Sequence, residues 1–342
     1  MVDGLSSLSN LLRCLECAGA LERAEVEPSP PGSIGPSGRF VCGDCGTAFP
    51  LVAGTVRMID DGFGATEEDR LKQRTGESFA YEWEHFGALR EEWEKNFRDY
   101  LQPHEPRSLD GRLLLDVGAG SGRHSRQAHE NGARVVAADV GASIDIARRN
   151  LPADVLTVQA DAERLPFAPG SFDIVISIGV LHHLPDTERA FRRLVPLAKP
   201  GGIVHVYLYW VPPRPAHRRI LRLVDAARQI TTRMPHRLLH PLCYPLAAAL
   251  FATCVLPYRA MRGHPRLERF ADALPLKTYA DYPFTVCVND QFDRFSAPLE
   301  RRFTEHEVRR LFEDAGLEEV TVLPNHGWVA SGRRPAAGEG SA

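Results

Sequence analysis

The chain has 342 residues, 44% hydrophobic and 25% charged, enough to bury one large core with a small extra module and too apolar for a disordered chain. A formal net charge of -3 gives no overall electrostatic case for a nucleic-acid partner, so any basic surface has to be local. The opening stretch MVDGLSSLSNLLRCLEC holds no apolar segment ahead of a cleavage-like site and runs directly into a CxxC pair, which reads as a cytoplasmic protein.

The cysteines separate by spacing. Cys14 and Cys17, then Cys42 and Cys45, form two CxxC pairs, each offering two thiolates from one tight turn, and four such ligands suit a closed tetrahedral zinc site. A ribbon without metal, or two redox dithiols, are the alternatives. The intervening EPSPPGSIGPSG cannot carry a core, so metal ligation would supply the stability that so small a module lacks. With no open ligand position the metal is expected to be structural. Cys243, Cys254 and Cys287 stand among apolar residues and read as buried reduced thiols. FPLVAGTVRMID reads as closing strands, and DDGFGATEED as a linker.

SFAYEWEHFGALREEWEKNFRDYL follows, with Phe79, Trp83 and Phe86 at helical spacing. It predicts helices that dock on the next domain by an aromatic face. The functional alternative is that Tyr81 or Trp83 closes the mouth of a ligand site, with Tyr81 a candidate substrate contact.

From residue 112 strands and helices alternate: strand 113–117, helix 121–131, strand 134–139, helix 143–150, strands 155–159 and 172–178, helix 187–198, strand 202–209. That order predicts an α/β fold with a parallel sheet covered on both faces and a ligand beyond the carboxyl ends of its strands. In LLLDVGAGSGRHS the glycines 118, 120 and 122 let a ligand lie against bare backbone, with Ala119 among them. A pyrophosphate wants GxGxxG; here the spacing is GxGxG and Asp116 precedes the loop. An acid there disfavours phosphate and suits a ligand with a cationic amino group. Asp139 can accept from two ribose hydroxyls, and Asp161 from an adenine amine.

LLLDVGAGSGRHS, VVAADV, VQADAERLPFAPGSFDIVISIGVLHHLPD and LAKPGGIVHVYLY together resemble the class I S-adenosylmethionine-dependent methyltransferases of the small-molecule and quinone-methylating type. FTEHEVRRLFEDAGLEEVTVL and GWVASGRR resemble the last helix and closing strands of that family. The resemblance implies a Rossmann-like sheet of seven strands with the last antiparallel. It also implies a cofactor lined by Gly118, Gly120, Asp139, Val140, Asp161, Ala162 and Ile178. His182 and His183, just past the fourth strand, are candidate general bases; the alternative is that they shape the loop. The cysteine module with its FP...G.VRMI tail resembles the small zinc-ribbon proteins that bind and stabilise methyltransferases, here fused to the chain.

Residues 211–297 form a long helical insertion. Its first sixty residues hold eleven arginines against Asp225 and Glu268, around the apolar run PLAAALFATCVLP. That run is expected to be too short, and too interrupted by Pro241, Pro245 and Pro257, to span a bilayer. A lid over an apolar substrate, a peripheral membrane contact, a homodimer face and a plain helical subdomain are the readings. In VNDQFDRFSAPLERRFT Asp293 and Phe295 are candidate acceptor contacts, with Arg294 where the resemblance implies an aromatic.

The chain thus divides into a zinc-ribbon module (1–60), linker and capping helices (61–110), a cofactor-binding core (111–210), the insertion (211–297) and a return to the core (298–335). The reading is a methyltransferase using S-adenosylmethionine and structural zinc, acting on a small-molecule or lipid-like acceptor. An RNA or protein methyltransferase is the runner-up, disfavoured because the ribbon carries only Arg13, Arg23, Arg39 and Arg57 among several acids. A non-catalytic scaffold is the alternative of another class.

Overall fold

The computed structural model describes residues 8–27, 35–59, 62–90, 92–264, 266–274 and 277–336. Seven strands build the sheet that the alternation and the resemblance together imply: β5 (Leu113–Val117), β6 (Arg134–Asp139), β7 (Leu156–Ala160), β8 (Phe172–Ile178) and β9 (Ala198–Leu208), with the closing strands β10 (Glu318–Pro324) and β11 (Trp328–Arg333), ordered β7-β6-β5-β8-β9-β11-β10. All pair in parallel except β11, which runs antiparallel to both its neighbours. Every residue of β5 is buried, as a strand covered on both faces requires. Its side chains divide by parity: Leu113, Leu115 and Val117 face one core and Leu114 the other.

The sheet has eleven strands, not seven. β1 (Leu21–Glu27), β2 (Ser37–Cys42), β3 (Ala48–Val52) and β4 (Thr55–Met58) form an antiparallel meander in the cysteine module. β4 then pairs in parallel with β7, from Thr55 opposite Thr157 to Met58 opposite Ala160. The module is therefore continuous with the sheet: Phe40, Leu51, Val56 and Met58 share a core with Val158 and Ala160. It covers the edge that β7 would otherwise expose.

Helix α1 (Glu67–Phe86) is fixed at its start by a capping box, Thr66 with Asp69. Helix α2 (Glu92–Leu101) buries Trp93, Phe97 and Leu101. The sheet's own helices are α3 (Arg123–Glu130), α4 (Ser143–Asn150) and α5 (Thr187–Leu194).

The insertion is helical as expected: α6 (Pro215–Thr231), α7 (His236–Leu250), α8 (Leu256–Met261), α9 (Glu268–Ala273) and α10 (Phe284–Ser296). Its prolines do not interrupt it. Pro241 and Pro245 lie inside α7, and a wide turn at Phe251–Val255 carries the helix on into α8. By length and composition His236–Met261 is apolar enough to cross a membrane. The prolines are tolerated because both are exposed, so solvent can bond the carbonyls they leave free. Leu239, Cys243, Ala247, Cys287 and Phe292 make a separate small core. Arg228 of α6, with Arg302, grips the buried Glu300, and Thr231 donates to Phe295 O at 2.8 Å. Cys243 and Cys287 are buried as expected, while Cys254 is only half-buried. The last helix of the core, α11 (Glu305–Glu313), opens with a second capping box from Thr304.

β4 has neighbours on both sides, so whichever way Val56 N–H points, proline there removes a ladder donor. Val56→Pro is expected to cost about 3 kcal/mol or more, read as a lower urea midpoint.

Candidate cofactor and acceptor site

A single cavity of about 1020 Å3 runs along the carboxyl ends of the strands and under the insertion, larger than most sites for one drug-sized ligand. Its floor is the glycine loop. Gly118 and Gly120 have φ of +79° and +56°, which L side chains rarely adopt. A Cβ at Gly118 would lie 2.3 Å from Val180, and one at Gly120 would lie 2.7 Å from the Trp83 indole nitrogen. The loop therefore closes against its neighbours only because it is bare there.

Asp139 holds this floor together. Its carboxylate accepts from Gly120 N at 2.9 Å, Gly141 N at 2.9 Å and Ser143 Oγ at 2.6 Å. Burial raises its pKa above the usual carboxylate range, against those hydrogen bonds. Asp116 lies beneath the loop, 1% exposed, and accepts from Ser125 Oγ at 2.6 Å. Burial, reinforced by the charge of Asp139, pushes it up to about 6. Asp139, Val140, Asp161, Ala162, Ile178, Gly118, Ala119 and Gly120 border the cavity; Asp116 and Gly122 do not. The side chain of Asp116 is thus placed to brace α3, and Gly122 packs on Leu151.

Helix α1 roofs the strand ends with a polar buried face: Lys72, Thr75, Gly76, Ser78 and Glu82. Lys72 Nζ lies 2.8 Å from Asp161 Oδ2 and 3.3 Å from Glu163 Oε1. Burial pulls its pKa down, but the two carboxylates outweigh that and hold it above its ordinary value. Phe79 and Trp83 border the cavity, whereas Tyr81 does not. Tyr81 instead stacks on His85, at 4.2 Å between ring centroids, and meets His236, His240 and Phe292. Its expected substrate contact is corrected: one residue along a helix turns a side chain by about 100°, from the cavity to the insertion. Arg123, the residue after the glycine loop, lies between Trp83 and Trp93, 5.2 and 4.9 Å from their rings.

Beyond the ledge the wall changes character. Glu82 is 2% exposed and hydrogen-bonded to Asn289; burial, with the charges of Asp293 and Asp290, raises it well above the carboxylate range. Tyr209 donates to Asp293 Oδ2 at 3.0 Å. Glu82 Oε2, Asn289 Oδ1 and Asp293 Oδ1 are buried without a partner, in residues that border the cavity; with Glu82 keeping its proton, the acceptors that miss donors are those of Asn289 and Asp293. Asp293, Phe295 and Arg294 border it as well. Ile220, Leu221, Val224, Leu246 and Leu250 make its apolar end.

The histidine pair divides. His182 is fully buried, stacked on Tyr209 at 3.9 Å, and lies off the cavity; burial holds its pKa far below the ordinary value. His183 borders the cavity. Its Nδ1 donates to Leu299 O at 2.6 Å, which leaves Nε2 as the lone-pair nitrogen, buried and unpartnered.

Lys72, Glu82, Arg123, Tyr209 and Asn289 were not anticipated as site residues. Lys72, Phe79, Glu82 and Trp83 share one helical face, so polar residues in phase with the aromatics were the available signal. At the N-terminus the four sulfurs of Cys14, Cys17, Cys42 and Cys45 lie within 4.8 Å of one another, with Cys14 to Cys45 at 3.6 Å and Cys17 to Cys42 at 3.4 Å. Tetrahedral zinc thiolate ligands sit about 3.8 Å apart, so the cluster fits that ion.

Residues 115–206 match the methyltransferase-domain family. Over 113 residues the chain is 39% identical to a demethylmenaquinone methyltransferase of Clavibacter sepedonicus, covering 32% of this chain and 46% of that one. Over 102 residues it is 36% identical to a ubiquinone biosynthesis O-methyltransferase of Stutzerimonas stutzeri, covering 28% and 44%. Over 118 residues it is 34% identical to a Mus musculus protein named "Probable tRNA methyltransferase 9B", covering 33% and 24%. The chain spans less than half the length of each of these relatives. It carries a methyltransferase domain of the S-adenosylmethionine-dependent class.

Because the folded pKa of Asp116 exceeds its unfolded value near 4, the native state keeps a proton that the unfolded chain releases. Stability is therefore lost as pH rises from about 4 to 6. Relative to Asp116→Asn, which cannot ionise, the wild type is expected to lose on the order of 3 kcal/mol across that window, measured by urea unfolding at stepped pH.

Proposed function

We propose that the chain transfers a methyl group from S-adenosylmethionine to a small molecule with a hydrogen-bond-donor head and an apolar body. The observation that carries this is the one cavity joining the glycine ledge to a donor-hungry wall and an apolar end. The cofactor, when bound, supplies an activated methyl group on a sulfonium. The protein's task is to align the acceptor and exclude water, an effect worth up to about 7–11 kcal/mol.

Gly118, Ala119 and Gly120 let the cofactor approach backbone, Asp139 receives its ribose, and Val140, Ala162 and Ile178 flank its base. Asp161, held by Lys72, accepts from the adenine amine. Arg123, gripped by two indoles, faces its carboxylate. Glu82, Asn289 and Asp293 receive the acceptor head, Phe295 borders it, and His183 Nε2 takes the acceptor's proton where the nucleophile is a hydroxyl. Among the relatives, names from quinone pathways and a tRNA name attach to the same core, so the acceptor has to be argued from the cavity. The ribbon's Arg57 is engaged by Asp145 at 2.5 Å and Arg13 by main-chain carbonyls, which argues against a nucleic-acid grip. We place the reaction in the cytoplasm, in the biosynthesis of a lipid-like or secondary metabolite.

Calorimetric titration of S-adenosylhomocysteine is expected to show saturable binding, with none for NAD. Asp139→Ala should weaken it at least tenfold, because it removes a charged acceptor and unpins Gly120. A folded wild type that binds no S-adenosylhomocysteine would overturn the enzyme reading and favour a scaffold.

We further propose structural zinc on the four cysteines. Glu16 N approaches Cys14 Sγ at 3.4 Å and Thr47 Oγ1 approaches Cys45 Sγ at 3.2 Å, contacts that orient thiolate ligands. One zinc per chain is expected on colorimetric release. Cys42→Ser should lose it and lower Tm by several degrees, because the ribbon core is shared with β7.

A further inference from the structure

Of the eleven large apolar side chains left exposed among the described residues, ten lie between Ile220 and Phe270. Their order is not that of scattered surface residues. On α6, Leu223 and Ile230 are 72% and 68% exposed and a heptad apart; on α7, Leu238, Leu242 and Leu246 recur every fourth residue. The other side of α7 is occupied, since Leu239, Cys243 and Ala247 are buried in the insertion's own core. An apolar stripe of this extent on the outer side marks an interaction surface.

Charge selects the partner. Residues 211–270 carry eleven arginines and only Asp225 and Glu268 as acids, and Arg218, Arg219 and Arg222 are exposed on α6. Apolar ridges bordered by guanidinium groups suit an anionic bilayer, in which the ridges sit below the headgroups and the arginines meet lipid phosphates. A second copy of the same face would set arginines against arginines. A spanning helix would have to give up the buried contacts of Leu239, Cys243 and Ala247.

We infer that α6 and α7 lie in the plane of an anionic membrane surface and dock the chain there. The same two helices supply Ile220, Leu221, Val224, Leu246 and Leu250 to the cavity. An acceptor with an apolar body therefore passes from bilayer to cavity along one continuous apolar surface. The inference deepens the acceptor reading above and rests on it for the substrate route, though not for the docking.

The test is co-sedimentation of the full chain with vesicles of phosphatidylcholine alone, or of phosphatidylcholine with phosphatidylglycerol. Binding to the mixed vesicles is expected, falling as salt rises, with little binding to phosphatidylcholine. The quadruple variant Leu223→Glu, Ile230→Glu, Leu238→Glu, Leu242→Glu should abolish it. The triple variant Arg218→Ala, Arg219→Ala, Arg222→Ala should weaken it on the order of a hundredfold. None of these seven residues borders the cavity, so both variants should titrate S-adenosylhomocysteine like the wild type. Failure of the wild type to sediment with the mixed vesicles overturns the inference. So does a wild-type dimer that the quadruple variant renders monomeric while neither chain binds vesicles, which assigns the face to a second copy. Vesicle binding by a chain that takes up no S-adenosylhomocysteine would support docking while overturning the methyl-transfer reading.

Discussion

The buried ammonium of Lys72 is the constraint from which the rest of the site follows. A charge taken out of water costs several kcal/mol unless it is paired, and Lys72 has its partners, Asp161 and Glu163, only at the end of β7. Sliding α1 by one turn would strand the ammonium in the interior, so the ion cluster fixes the helix's register over the strand ends. At about 1.5 Å per residue, that register carries Trp83 to Gly120 and Glu82 to the far wall. Ser78 then meets Ser296 across α10 at 2.7 Å, which joins the insertion to the same helix.

The two ends of the cavity treat carboxylates differently. Asp139 on the ledge has its oxygens met by the protein's own donors, so it is preorganised and part of the cost of burying it is offset. Across the cavity Asn289 and Asp293 each keep an unmet acceptor, and Glu82 Oε2 also lacks a partner. With several acids close together in a poorly solvated space, Glu82 holds its proton far above the usual range. A ligand bringing donors or positive charge relieves that arrangement, and an anionic one aggravates it. Arg123 and Arg294 are the cations that temper it, and the first is fixed between two indoles.

The ribbon and the insertion manage surface in opposite ways. Left bare, β7 would be an edge beside the residues that carry Asp161, and β4 closes it with ladder bonds and a shared core. The insertion covers the apolar end of the cavity yet leaves apolar side chains facing out. A helix pair with two apolar sides has two environments to satisfy, and only one of them is inside this chain.

Much of this was legible locally. The strands from 113 to 178 show as apolar runs whose ends match within a residue, and GxGxG with Asp139 and Asp161 placed a ledge at three successive strand ends. CxxC spacing brought four sulfurs together, because ligand sets of that kind are encoded in short segments. What could not be read was any feature that depends on which distant elements meet. Lys72 and Asp161 are 89 residues apart, and Glu82 and Asn289 still further, so neither pairing leaves a trace in local periodicity. Tyr81 looked as eligible as Trp83 until the register of α1 turned it away, and the prolines of α7 read as breaks because their solvent exposure was unknown. The sequence alone determined the α/β class, the glycine ledge at the strand ends and the cysteine cluster, since these rest on period, spacing and turn chemistry. Tertiary structure decided which polar groups are buried, which histidine nitrogen is free, and that the ribbon joins the sheet, since those follow from contacts between segments far apart in the chain.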